Sequence, residues 1–105
     1  MIHELRIYTT NRPAMRRSLV TLMERLIPVF ERAGIKVVGL WTTLIGLSGE
    51  FYYLLEYESL ADREKKWTKF TQDPDLQKFI AEAGEYPTVK ERSIMLQPTS
   101  YSSLK

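Results

Sequence analysis

The segment Phe51-Tyr52-Tyr53-Leu54-Leu55 sets the main constraint on this chain. Alternate side chains of a strand point to opposite faces, and here both faces are large and apolar, so both must be covered. Val37-Val38-Gly39-Leu40-Trp41 nearly repeats the pattern. The chain has 105 residues, 44% of them hydrophobic and 27% charged, which predicts one soluble domain over residues 1–105 with 97–105 as a C-terminal tail. At this length folding buries roughly 65% of the unfolded surface, so cover from outside the chain adds a useful margin.

The remaining elements follow from periodicity. His3 to Thr9 alternates, with Leu5 and Ile7 on one face and Glu4, Arg6 and Tyr8 on the other, as in a half-buried strand. Thr10-Asn11-Arg12-Pro13 supplies a turn and a first-turn proline, after which Met15, Leu19, Leu22, Met23, Leu26, Ile27 and Phe30 recur at helical spacing. Pro28 predicts a kink or local break near Glu24 to Ile27, and Gly34 suits a left-handed helix end. Ile35 to Ile45 and Phe51 to Tyr57 read as a hairpin around Gly46-Leu47-Ser48-Gly49.

Ser59-Leu60-Ala61-Asp62 forms a variant capping box ahead of a stripe made by Leu60, Glu64, Trp67, Phe70 and Thr71. Asp73-Pro74 then caps a short helix carrying Leu76, Phe79, Ile80 and Ala83 and ending at Gly84. Val89 to Leu96 is the last strand, stopped by Pro98, and Tyr101 and Leu104 give the tail a means of docking. The order βαββα(α)β predicts an α+β fold, the ferredoxin-like βαββαβ sandwich, with helices on one face of a four-stranded sheet. All the helices are needed on that face. A second copy related by a twofold axis is the simplest cover for the other, which predicts a homodimer.

Several function classes lose support. Fifteen basic against 13 acidic residues leave a formal charge of +2 without a basic stripe, so no nucleic-acid footprint is expected. No apolar run approaches the roughly 18 residues of a membrane span, no cleavable leader is legible, and the absence of cysteine suits a reducing compartment, so a cytoplasmic protein is expected. His3, the single histidine, reads as structural or solvent-facing, and Glu24, Glu31, Asp62 and Glu64 lack ligand spacing, so neither metal nor another cofactor is expected. Ser18, Ser48 and Ser93 lack a histidine partner for hydrolysis. Arg63-Glu64 with Lys65-Lys66 reads as a solvated first turn with a salt bridge.

In sequence the chain resembles the NIPSNAP family of the dimeric α/β barrel superfamily. The similarity runs through Glu4-Leu5-Arg6 with Tyr8-Thr9, Phe30-Glu31, Gly34-Ile35, and Val37-Val38-Gly39 leading to Trp41-Thr42-Thr43. It continues through Ile45-Gly46, Tyr53-Leu54-Leu55, Tyr57, Ser59-Leu60, Arg63-Glu64, Trp67 and Asp73-Pro74, to Pro98-Thr99 before Tyr101-Ser102. Leu44 stands where relatives often carry glutamate, and Ser103 where proline is expected. The resemblance implies two sheets packed into a shared barrel, with a pocket between each sheet and its helices or within the barrel. It also implies relatives linked to mitochondria and vesicle traffic, and superfamily members that are cofactor-independent monooxygenases, haem-degrading enzymes or isomerases. Haem does not suit this chain, since neither long helix carries a histidine.

Arg6 and Tyr8 carry the chemistry in the functional reading: Arg6 binds an anionic or carbonyl oxygen, Tyr8 donates a hydrogen bond or proton, and Glu56 orients Arg6. Trp41, Tyr52 and Tyr53 would wall an aromatic pocket. Glu56 is the expected partner because the first and third strands should be neighbours running parallel, and a structural ion pair at the subunit interface is the plainer alternative for Arg6. The ligand-binding set is therefore Arg6, Tyr8, Trp41, Tyr52 and Glu56, and catalytic residues stay unassigned. Two functions follow: binding of a small aromatic or apolar molecule, with its oxygen-dependent oxidation as the concrete version, or a non-catalytic interaction or scaffold module in a stress or trafficking role.

Overall fold

A computed structural model describes residues 1–84 and 90–105. Its elements are β1 (Ile2–Thr9), α1 (Pro13–Arg32), β2 (Lys36–Thr42), β3 (Glu50–Tyr57), α2 (Leu60–Thr71), α3 (Pro74–Glu82) and β4 (Lys90–Leu96). The strands form one sheet in the order β2-β3-β1-β4, and every neighbouring pair is antiparallel. This is the ferredoxin-like α+β arrangement. The expected parallel pairing of the first and third strands is corrected: β1 and β3 are neighbours but antiparallel, with His3 opposite Glu56 and Arg6 opposite Tyr53.

The helix α1 runs continuously through Pro28, so of the expected kink or local break the break does not occur. Its apolar stripe, Leu19, Leu22, Met23, Leu26, Val29 and Phe30, is buried against the sheet, and this packing outweighs the one backbone hydrogen bond that proline forfeits. The helix closes at Gly34, whose φ of +79° is in the left-handed region, while the Ile35 amide donates to the Phe30 carbonyl at 2.9 Å. In α2, Ser59 accepts from the Asp62 amide at 3.0 Å, and Asp62 in return accepts from the Glu58 amide at 3.0 Å. Asp73 caps α3 by accepting from the Asp75 amide.

Strand limits differ from the sequence reading at the hairpin. β2 ends at Thr42, leaving Leu44 and Ile45 on a loop with 96% and 95% of their surface exposed. The loop returns at Gly49, whose carbonyl accepts from both the amide and the hydroxyl of Thr10, at 2.9 and 2.8 Å. A Cβ at Gly49, where φ is +88°, would lie 2.9 Å from the Thr10 hydroxyl oxygen. Leu60 is exposed rather than part of the α2 stripe, because it starts the helix beyond the edge of the core. Tyr101 is 88% exposed, so the expected docking of the tail does not bury it. The expected start of the last strand at Val89 lies outside the described residues.

One face of the sheet is packed on the helices. Tyr8, Phe51, Tyr53, Leu55 and Tyr57 belong to the same core as the α1 stripe, with Phe70 of α2 and Leu76 of α3. The alternation of β1 puts Glu4 and Arg6 on that side with Tyr8. The opposite face presents His3, Leu5 and Ile7 beside Tyr52, Leu54 and Glu56, and none of these joins the helix-packed core.

Candidate functional site

Under the helices, β1 delivers Glu4, Arg6 and Tyr8 into one hydrogen-bonded cluster. The Arg6 guanidinium donates to the Tyr53 hydroxyl at 2.7 Å through Nε, to Glu4 at 3.1 Å through Nη1 and to the Tyr8 hydroxyl at 3.1 Å through Nη2. The two hydroxyls are 2.6 Å apart. The Arg6 cation also lies over the Trp67 ring, 4.7 Å from its centroid, which adds cation–π attraction in a site largely removed from water. Register explains this convergence: Tyr53 is directly opposite Arg6 on β3, and its neighbours Phe51 and Leu55 anchor the same face.

Glu4, fully buried, holds the cluster to α2 and to the sheet edge. Arg63 grips it with two bonds of 2.9 Å, the Tyr57 hydroxyl donates at 2.8 Å, and Ser93 of β4 also donates. Trp67 in turn donates to the Tyr57 hydroxyl at 2.6 Å. Arg63 and Trp67 are four residues apart and so share one face of α2. The expectation that Arg63 belongs to a solvated turn is corrected: a buried carboxylate needs a cation, and Arg63 is the one the helix supplies. Lys66 does form the surface pair of that turn, with Asp62 at 2.9 Å.

These contacts fix the protonation states. Burial pushes the Glu4 carboxyl up, but hydrogen bonds from Arg63, Ser93 and Tyr57 and the charge of Arg6 outweigh it, and the pKa falls from 4.5 to about 2. Burial pulls Arg6 down, yet the oxygens of Tyr53, Tyr8 and Glu4 more than compensate, so it remains a cation. Burial raises Tyr53 well above the usual phenol range, with Tyr8 adding to the effect and Arg6 opposing it. Tyr53 is thus a neutral phenol at physiological pH.

Beside this cluster the core is incompletely filled. A cavity of about 180 Å³ lies between sheet and helices, with Arg6, Tyr8 and Tyr53 at its polar end and Leu22, Phe30 and Ile80 among its apolar walls. Glu91 on β4, with 41% of its side chain exposed, lines the same space and approaches Arg6 to 3.9 Å. Protein interiors seldom leave voids larger than a water molecule, so a space of this size next to buried polar groups is a candidate binding site.

The structure brings together only part of the predicted site. Arg6, Tyr8 and Tyr53 share the cavity, whereas Trp41, Tyr52 and Glu56 are on the opposite face of the sheet. The expected Arg6–Glu56 pair does not form. Glu56 instead accepts from His3 at 3.0 Å and pairs with Lys36 at 3.5 Å, because antiparallel register sets it beside the odd-numbered residues of β1. Trp41 is half exposed and Tyr52 donates to Glu50 at 2.9 Å. Sequence reasoning missed Tyr57, Arg63 and Trp67 as members of the cluster. The four-residue spacing of the last two was a usable signal. Among the described residues no group of three or more histidine, aspartate or glutamate side chains is placed to hold a metal, and none of the helices is long and apolar enough to cross a membrane.

Comparison with known proteins gives a consistent picture. The NIPSNAP family model matches residues 3–103. A NIPSNAP family protein from Agrobacterium tumefaciens is 27% identical with a TM-score of 0.86, over 99% of this chain and 98% of that one. An uncharacterised NIPSNAP-like domain protein from Burkholderia xenovorans is also 27% identical, with a TM-score of 0.84 over 96% of this chain and 87% of that one. A candidate antibiotic biosynthesis monooxygenase from Bordetella bronchiseptica shares the fold, with a TM-score of 0.69 and 18% identity over 93% of this chain and 96% of that one. Among curated proteins, none matches the sequence.

Proposed function

Since the chain belongs to the NIPSNAP family, we propose that it binds a small aromatic or otherwise apolar molecule in the cavity between its sheet and helices, oriented by Arg6 and Tyr8. The observation that carries this reading is an apolar cavity ending on a half-buried guanidinium that two phenols and a carboxylate hold in place. Such preorganisation fixes one end of a ligand while the apolar walls supply most of the affinity. Tyr53 joins the site; Trp41, Tyr52 and Glu56, proposed from sequence, belong instead to the surface on the other side.

The catalytic version is a cofactor-independent monooxygenase, in which the bound aromatic itself supplies the electrons to oxygen. The Bordetella neighbour supports it at the level of fold alone. An NMR-detected screen of small aromatics tests the binding. Hits are expected to move the side-chain signals of Arg6 and Trp67, and Leu22→Phe, which fills the cavity, is expected to abolish them. Hits that survive this substitution would place the site elsewhere.

The surface on the other side is read as the seat of a second copy, closing a homodimeric α/β barrel. Leu5, Leu54 and Ile94 are half-buried there without a helix over them, between a margin of His3, Glu56 and Lys36 and one of Thr9, Glu50 and Tyr52. An apolar centre with polar margins is the usual anatomy of a subunit interface. A cytoplasmic location accords with the lack of cysteine. The exposed Leu44, Ile45 and Tyr101 favour a second reading, a scaffold module in a stress or trafficking role whose hairpin tip and tail meet a partner.

A further inference from the structure

The polar end of the cavity is specific about what it can receive. Tyr8 and Tyr53 have two hydroxyl protons between them, and their 2.6 Å contact uses one, whichever ring donates it. Both oxygens already accept from Arg6, and among the described residues the other hydroxyl proton has no acceptor. Arg6 has five N–H groups, of which its bonds to Tyr53, Glu4 and Tyr8 use three. Apart from the Glu91 carboxylate at its margin, the described residues at the end of the cavity therefore present donors, with one phenol proton left for a further acceptor.

Charge and size narrow the class. Among the described residues Arg6 pairs with Glu4 and approaches Glu91, and Arg63 pairs with Glu4, so an anionic ligand would meet the Glu91 carboxylate and compete with it for Arg6. A neutral oxygen acceptor meets the free hydroxyl proton at no such cost. The volume of about 180 Å³ is a little above the roughly 150 Å³ of an apolar cavity known to hold benzene, which leaves room for one ring and a short substituent.

Resting on the reading given above, we infer that the ligand is an uncharged single-ring aromatic carbonyl compound, a ketone, aldehyde or quinone, whose oxygen accepts from the Tyr8–Tyr53 pair and Arg6. Titration of the whole protein with acetophenone, toluene and benzoate, followed by NMR shifts of the Arg6 Nε–H and Trp67 Nε–H signals, tests it. Acetophenone is expected to bind roughly two- to tenfold more tightly than toluene, the worth of one hydrogen bond. Benzoate is expected to bind at least about tenfold more weakly than acetophenone, and Glu91→Gln, on the exposed edge strand, should narrow that gap severalfold. Equal affinity for toluene and acetophenone would overturn the carbonyl assignment while leaving the cavity as a binding site. Benzoate binding as tightly as acetophenone would overturn the charge argument. No response to any of the three would remove the cavity reading as well.

Discussion

The two faces of β1 are built from the same eight residues and solve opposite problems. On one, Glu4, Arg6 and Tyr8 go beneath the helices, largely removed from water, and are held by hydrogen bonds from several elements. On the other, Leu5 and Ile7 point away from the helices, and the polar groups at that face's ends, His3 and Thr9, make only local contacts across the sheet to Glu56 and Glu50. The polar side chains at the middle of β1 thus face the helices and the apolar ones face away from them, the reverse of a simple amphipathic strand. A buried charge tolerates that position only when fully paired. The contrast teaches that burial alone does not mark a core: the side under the helices holds a paired polar cluster, and the side away from them is largely apolar.

Removing the organiser of the polar side should have the largest effect. Glu4→Leu leaves Arg6 without its carboxylate and frees Arg63, and is expected to cost about 3–5 kcal/mol of stability, measured by urea denaturation. A cost below about 1 kcal/mol would show that the cluster is wet and the contrast between the faces unfounded. Acid should act on the same group. The Glu4 carboxyl is depressed in the folded protein, so its contribution is fully present above the ordinary value of 4.5 and is lost as pH falls towards about 2. The loss is expected to reach roughly 3 kcal/mol across that window, and Glu4→Gln should flatten it.

On the apolar side, Leu54→Asp tests the surface reading. It is expected to weaken self-association by about 2 kcal/mol or more, seen in sedimentation, while the isolated chain keeps its helical signal. A wild-type protein that stays monomeric at every concentration would refute the dimer. The smallest effect is the coupling between faces. Arg6→Met and Glu56→Leu touch different networks, so their double variant should be additive within about 0.5 kcal/mol. A larger interaction would mean that the faces communicate through β1.

Much of the fold is legible in local sequence. Leu19, Leu22, Met23, Leu26 and Phe30 define α1 by spacing alone, Ser59 and Asp73 mark helix starts because their side chains can satisfy free amides, and Gly34 marks an end because it tolerates positive φ. The alternation of β1 likewise groups Glu4, Arg6 and Tyr8 on one side, because the period of a strand is two. What the sequence could not supply was which side the helices would take, since periodicity defines two faces and labels neither. Nor could it supply register: Arg6 meets Tyr53 rather than Glu56 because β3 runs antiparallel to β1, and Arg63 and Trp67 reach the cluster only once α2 has packed across the sheet. Pairing of strands and docking of helices are fixed by the sum of many non-local contacts, and a buried ion cluster exists only where those contacts have already excluded water.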